Sequence, residues 1–299
     1  MSITNEKCID SFENFNAVHA FMRKVFTLTG KPQTWEFVRL EFWKTREASK
    51  NADPNFMENN AHLWKNESCE IVGLFISESG GSYFSLIVHP DYPEIAKEMI
   101  FWTKNVWGKD KKKLNTDCYE HSMEVGALLN SGFVRDRQIA NTRRYDLENK
   151  EYTVTLEEGF SIRCITEAPN YVGKSESIQR AFCPQDLNPE KVAYWRKELP
   201  SYCADLDLSV VSHCGDHISF CFGFEDIDNG IAIIETIGTH PDYQQRGFGK
   251  AVVMACCNEL KKRGIKTVYI TGFSAEANAL YQSLQPVEIF PLVSYTYEG

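Results

Sequence analysis

The feature that most constrains this chain is a short segment that occurs twice, about half a chain length apart. "HPDY" stands at 89–92 and again at 240–243. Each copy closes an apolar strand pattern, "SYFSLIV" before the first and "IAIIETIGT" before the second. A further match comes after each copy at the same offset to within one residue: "ALLNSGF" at 127–133 and "ALYQSLQ" at 279–285. One shared tetrapeptide arises by chance, whereas two matches in register mark an internal duplication of about half the chain. A length of 299 residues suits two domains. The polar stretch "LENKEYTVTLEEGF" at 147–160 is the expected boundary, dividing the chain into 1–150 and 151–299.

The two copies differ on the C-terminal side of the tyrosine. After the second, "QQRGFGKA" brings two glycines and two cations to the point where an apolar strand gives way to an amphipathic helix. After the first, "PEIAKEM" has no glycine. A strand that turns directly into a helix presents several backbone N–H groups without acceptors, and these together with the helix dipole attract an anion such as pyrophosphate. Gly247 and Gly249 let the backbone approach phosphate closely, and Arg246 and Lys250 add positive charge.

The surrounding second half is readable element by element. "DLDLSVV" alternates Leu206, Leu208 and Val210, and "HISFCFGF" alternates Ile218, Phe220, Phe222 and Phe224, both with the period of a half-buried strand. Asn229-Gly230 is a hairpin signal leading into "IAIIETIGT", so three antiparallel strands are expected in sequence. Helical spacing runs from Gly249 to Arg263 and ends on Gly264, suited to a left-handed cap. A strand is expected next at 266–271, and then a short helix opening after Ser274 with Glu276 in its first turn.

The loop Gln244-Gln245-Arg246-Gly247-Phe248-Gly249 fits the pattern Q/R-x-x-G-x-G/A and resembles the cofactor loop of the GNAT acetyltransferase superfamily. It is neither a Walker loop nor a GxGxxG fingerprint. "EANALYQSL" is similar to that family's second cofactor helix, with Asn278 and Tyr281 three apart. The resemblance covers about residues 158–285. Where the family often continues LYxxLGF, this chain reads "LYQSLQP". The fold implied is α+β: two tandem GNAT-like domains, each a mixed, mainly antiparallel sheet flanked by helices. The co-substrate implied is acetyl-CoA, bound where two central strands splay apart. Ile237, Gly238 and Thr239 would offer backbone hydrogen bonds to the pantetheine arm. Gln244, Gln245, Arg246, Gly247, Phe248, Gly249 and Lys250 would cradle the pyrophosphate, with Asn278 and Tyr281 near the thioester. In the first half Gly126 and Leu129 occupy the places of Asn278 and Tyr281, so that half is expected to be a degenerate copy that does not hold CoA in the same manner.

Acyl transfer to an amine needs a base for the ammonium proton and an acid for the departing thiolate. Glu235, in an apolar row of "IAIIETIGT" with Ile231, Ile233 and Ile237, is the candidate base. Tyr281 is the candidate acid, placed by the resemblance. No cysteine lies in either cofactor segment apart from Cys256 and Cys257 inside the helical pattern, so direct attack by the amine is expected rather than an acyl-cysteine. A CoA-responsive binding protein without catalysis, transfer to a hydroxyl or thiol, and use of a longer acyl-CoA all stay open.

The remaining signals narrow the partners. A net charge of −9 argues against nucleic acid and is compatible with a cationic small-molecule or peptide amine. "KDKKK" at 109–113 reads as a solvated segment, and the aromatic run before Pro54 as core helices. No stretch reaches the roughly 18 apolar residues of a membrane span, and "MSITNEKCIDSFENF" lacks a signal pattern, so a cytoplasmic location is expected. Ten cysteines without a CxxC pair read as reduced thiols. His213, Cys214 and His217 in "HCGDH" read as a surface turn, and no metal site is expected.

Overall fold

The structure, a computed structural model, describes residues 2–47, 53–182 and 195–299. Chain contacts divide it into two units, Met1–Ala140 with Phe290–Gly299, and Asn141–Ile289. The expected division at 150 and these bounds differ because the last ten residues join the first unit, and the strand that ends the first repeat finishes in the second.

The first unit is built on β1 (Thr4–Lys7), β2 (Ala61–Lys65), β3 (Ile71–Ile76), β4 (Tyr83–Val88), β5 (Lys113–Tyr119) and the greater part of β12 (Glu288–Glu298), ordered β1-β2-β3-β4-β5-β12. All pairs are antiparallel except β4 with β5. Helix α1 (Phe12–Thr29) starts where Ser11 Oγ accepts from the Asn14 N–H and stops at the left-handed Gly30. With α2 (Phe37–Phe42) and α3 (Phe56–Asn60) it encloses a core that includes Phe21, Trp35, Trp43, Leu63 and Leu74. Of the aromatic run before Pro54, Phe21, Trp35, Phe37 and Trp43 are buried, and Phe26 and Phe42 are half-buried. A second cluster, with Phe75, Phe84, Met99, Leu128 and Tyr295, lies under α4 (Ile95–Trp102) and α5 (Glu124–Asn130).

The second unit takes Asn141 onward of β6 (Val134–Asp146), with β7 (Phe160–Cys164), α6 (Tyr171–Phe182), β8 (Asp207–Ser212), β9 (His217–Asp226), β10 (Ile231–Thr239), α7 (Phe248–Lys262), β11 (Thr267–Gly272) and α8 (Ala275–Gln282). Its strands are ordered β6-β11-β10-β9-β8-β7, and only β10 with β11 is parallel. Val252, Cys256, Cys257 and Leu260 of α7 pack into one cluster with Leu208, Val210, Ala232, Ile234 and Val268. A Cβ added at Gly223 would stand 3.0 Å from Cys256 Sγ, so that face of β9 belongs to α7. Phe220 and Phe222 point to the other face, where a Cβ on Gly238 would run into the Phe220 ring and stand 3.2 Å from Ala181 of α6. Each unit is thus α+β, a mixed, mainly antiparallel sheet flanked by helices.

Candidate functional site

In the second unit β10 and β11 pair through three residues only, from Ile231↔Thr267 to Ile233↔Tyr269. Beyond that point β11 stays paired to β6 as far as Gly272, while the β10 edge that faced β11 runs on unpaired. A bulge reinforces the parting. The β10–β9 ladder passes from Glu235↔Phe222 to Gly238↔Phe220, one extra residue on β10, and Thr236 stands at φ 57°. A left-handed, β-branched residue in a strand is a strained conformation. Its effect is to reverse the alternation of side chains. Ile237 packs with the α7 cluster, together with Ala232 and Ile234, so it does not share a face with Glu235 as the strand period implied.

Past β10 the chain makes a turn set by His240, whose Nδ1 accepts the Asp242 N–H at 3.3 Å. Gln245 and Gly247 both stand left-handed, at φ 62° and 82°. Gly247 is the N-cap of α7 and supplies no side-chain acceptor, so the first-turn amides from Phe248 to Lys250 have no partner within the helix. Gly249 seats this turn. A Cβ there would lie 3.0 Å from Leu280 of α8 and 3.2 Å from Thr239 Oγ1. Thr239 is fixed in turn by Ser219 Oγ at 2.9 Å, and Ser219 also donates to the Gly238 carbonyl at 2.8 Å. Gln244 Nε2 donates to the Thr239 carbonyl and Lys250 Nζ to the Ser283 carbonyl, both at 3.4 Å. The end of β10, the opening of α7 and one side of α8 therefore converge.

Arg246 is not a free cation. It donates to Glu157 and lies over the rings of Phe160, Tyr243 and Phe248. Sequence reasoning missed Glu157, and no local pattern connects two residues 89 positions apart.

The predicted pair on α8 is seated against the end of β11. A Cβ on Gly272 would lie 3.0 Å from Tyr281 Cδ2 and 3.1 Å from Asn278 Oδ1. Ser274 caps the helix by accepting the Ala277 N–H at 3.1 Å. Tyr281 is buried, which pushes its phenol above the usual range, and its hydroxyl has no hydrogen-bond partner among the described residues. Glu235 lies on the other face of the sheet, half-buried and already partnered. It stands in one cross-strand row with Phe222 and Asp207, so the structure does not bring it beside Tyr281.

His217 departs from its expected surface turn. It belongs to β9 and is buried, and burial lowers its pKa to about 4. His213 and Cys214 are exposed. No group of metal ligands occurs among the described residues.

The first unit repeats part of this geometry. Its β4 and β5 pair only at Tyr83↔Asn115 and Phe84↔Thr116, and His89 Nδ1 accepts the Asp91 N–H at 3.2 Å. None of the described residues from 89 to 99 is left-handed, and Leu129 is exposed where Tyr281 is buried.

A strand pair that parts beside a glycine-opened helix is the layout the sequence resemblance implied. Residues 176–285 match the family model described as the acetyltransferase (GNAT) family. The match lies within the second unit. Over 55 residues it is 40% identical to the ribosomal protein bS18-alanine N-acetyltransferase of Escherichia coli K12, a match covering 18% of this chain and 37% of that enzyme. The chain thus spans little more than a third of the length of this curated relative. Among solved structures it is similar to a tandem GNAT protein from the clavulanic acid biosynthesis pathway, with TM-score 0.65 at 14% identity, covering 99% of this chain and 98% of that one. It is likewise similar to a GCN5-related N-acetyltransferase from Sphaerobacter thermophilus, with TM-score 0.63 at 15% identity, covering 99% and 95%. At such identities the likeness concerns the fold, and the fold is the tandem GNAT arrangement. No helix among the described residues is long and apolar enough to cross a membrane.

Proposed function

We propose that this chain is an acetyl-CoA-dependent N-acetyltransferase, with the second unit as its cofactor-binding and catalytic half. The observation that carries the reading is the parting of β10 from β11 after Ile233, beside the uncapped amides of α7. The residues there fit an extended ligand ending in a diphosphate. From Ile237 to Thr239, where β10 has parted from β11, the backbone is proposed to bond an amide-bearing arm, with the Thr239 carbonyl exchanging its Gln244 donor for the ligand. The left-handed Gln245 and Gly247 and the opening turn of α7 form a concave set of N–H groups for the pyrophosphate.

Acetyl-CoA supplies an activated acyl group as a thioester. What the protein adds is position and proton transfer. An alkyl amine of pKa near ~10 is only about one part in a thousand neutral at pH 7, so a base must take its proton. Glu235, on the α6 face beside Phe222, is the proposed base. Tyr281 is the proposed acid, and burial keeps its phenol protonated at neutral pH, as a donor to a departing thiolate requires. Cys256 and Cys257 are sealed within the α7 cluster, in keeping with direct attack by the amine. The acceptor is proposed to be a small or peptidic amine. The alanine of ribosomal protein bS18 named for the Escherichia coli relative makes an alanyl peptide the first to try.

The test is calorimetric titration with acetyl-CoA, followed by an acceptor screen reporting free thiol. Micromolar binding is expected, with turnover that falls at least a hundredfold in Glu235→Gln or Tyr281→Phe. No binding at millimolar acetyl-CoA would overturn the reading. Binding with unaltered biological activity in the double variant would favour a sensor.

A further inference from the structure

Arg143, on β6, is 4% exposed and its hydrogen-bond partners are all neutral. Nη1 donates to Asn278 Oδ1 at 2.7 Å and to the Asn141 carbonyl at 3.4 Å, and Nε donates to Gln282 Oε1 at 3.4 Å. No carboxylate among the described residues pairs with it. A guanidinium withdrawn from water with no counter-charge is costly, and its donors are spent here largely on two side chains of α8.

What it holds is one side of α8. Asn278 and Gln282 are one turn apart, with Tyr281 between them. The Asn278 side chain is fixed at both ends, Oδ1 by Arg143 and Nδ2 by donation to the Ser274 carbonyl at 2.7 Å. Two residues along β6, and therefore on the same face, Tyr145 Oη donates to the Tyr281 carbonyl at 2.8 Å. An eight-residue helix in which Tyr281 is the buried residue has little of its own to fix its rotation. The grip from β6 supplies it.

We infer that Arg143 is a positioning residue for the cofactor helix, setting the angle at which Asn278 and Tyr281 face the parted strands through its fork on Asn278 and Gln282. The inference rests on the proposed reading of α8 as a cofactor-binding element. Arg143, Asn278 and Gln282 all lie within the second unit.

The experiment titrates the full chain with acetyl-CoA by calorimetry, well below the thermal midpoint of each variant. Arg143→Gln and Asn278→Ala are each expected to weaken binding about tenfold. Their combination should be no weaker than either by more than about threefold, because both remove one contact. Arg143→Lys keeps the charge but not the two-pronged fork, and is expected to recover part of the loss. Should Arg143→Gln fail to fold, Arg143→Lys decides alone, with an expected loss of about threefold. A merely structural role would lower the thermal midpoint and leave affinity unmoved, and that result overturns the inference, as do fully additive losses. A wild-type chain that does not bind acetyl-CoA overturns the reading of α8 and takes this inference with it. Binding by the wild type with unaltered affinity in the Arg143 variants overturns the inference alone.

Discussion

Arg246 donates through Nε to Glu157 Oε1 at 3.2 Å, and its guanidinium lies 5.1 Å from the Phe160 ring and 5.0 Å from that of Phe248. The rings fix its direction, while the ion pair is solvated, with side chains 36% and 49% exposed, so it adds little to stability. Glu157 is then a resident competitor for the cation proposed to meet the pyrophosphate. Glu157→Gln is expected to tighten acetyl-CoA binding a few-fold at low ionic strength, with the gain shrinking as salt is added. Arg246→Ala should weaken binding about tenfold. Calorimetry at two salt concentrations checks both, and weaker binding in Glu157→Gln would mean that Arg246 works only through its carboxylate.

Gly247 separates sterics from conformation. A Cβ there meets nothing within 4 Å, but the residue stands at φ 82°. A side chain therefore has room, and its cost to folding is the left-handed backbone, about 1–2 kcal/mol. Gly247→Glu is expected to lower the thermal midpoint by only a few degrees while abolishing measurable acetyl-CoA binding, since it puts a carboxylate where a diphosphate is proposed to sit. Gly247→Asn tolerates the backbone and should retain most of the binding. Equal affinity in the glutamate variant would remove this loop from the site.

The features legible in the chain are those that neighbours in sequence decide. The His–Asp turn of each HPDY copy closes over two residues and forms in both. The caps at Ser274 and Gly264 and the hairpin at Gly230 are equally local, and each stands as its residue type requires. The bulge at Thr236 had no such signal, because a β-branched residue is the last expected to turn left-handed. It moved Ile237 to the face opposite Glu235. His217 read as part of a turn because its neighbours are turn residues, although its pairing with Val211 draws it into β9. The partners of Arg246 and Arg143, and the sheets that β6 and β12 join, are set by contacts across tens of residues. Side-chain period reports which face of a strand is buried, not which strand lies alongside.

Glu124 and Glu276 stand three residues before the two related "AL" segments, in opposite surroundings. Glu276 is exposed, and its own backbone N–H and Ser274 hold its carboxyl below the usual range. Glu124 is 5% exposed, and burial raises it to about 7 against hydrogen bonds from its own N–H, Cys118 and Ser122. Between about 4.5 and about 7 the folded chain holds this proton and the unfolded chain does not. The contribution to stability is thus complete below the lower value and is lost as pH rises through the upper one, a change of roughly 3 kcal/mol. Glu124→Gln is expected to match the wild type near pH 4.5 and exceed it at pH 8 by up to that amount. Denaturant unfolding across this range checks it, and parallel stability curves would exclude the effect.

The last ten residues should matter most to the first unit. Within it β12 pairs with β5 from Leu292↔Tyr119 to Glu298↔Lys113, and Val293 and Tyr295 are buried among Phe84, Leu114, Cys118 and Phe133. Deleting 290–299 strips β5 of one partner and opens that cluster, while Tyr295→Ala leaves the ladder and is expected to cost about 3 kcal/mol. Five of the six tryptophans, Trp35, Trp43, Trp64, Trp102 and Trp107, precede residue 140, so fluorescence reports mainly on this unit. Truncation at the C-terminus is expected to red-shift their emission and lower the unit's unfolding midpoint. Unchanged emission and midpoint after the deletion would mean that β12 contributes nothing to the sheet in which it lies.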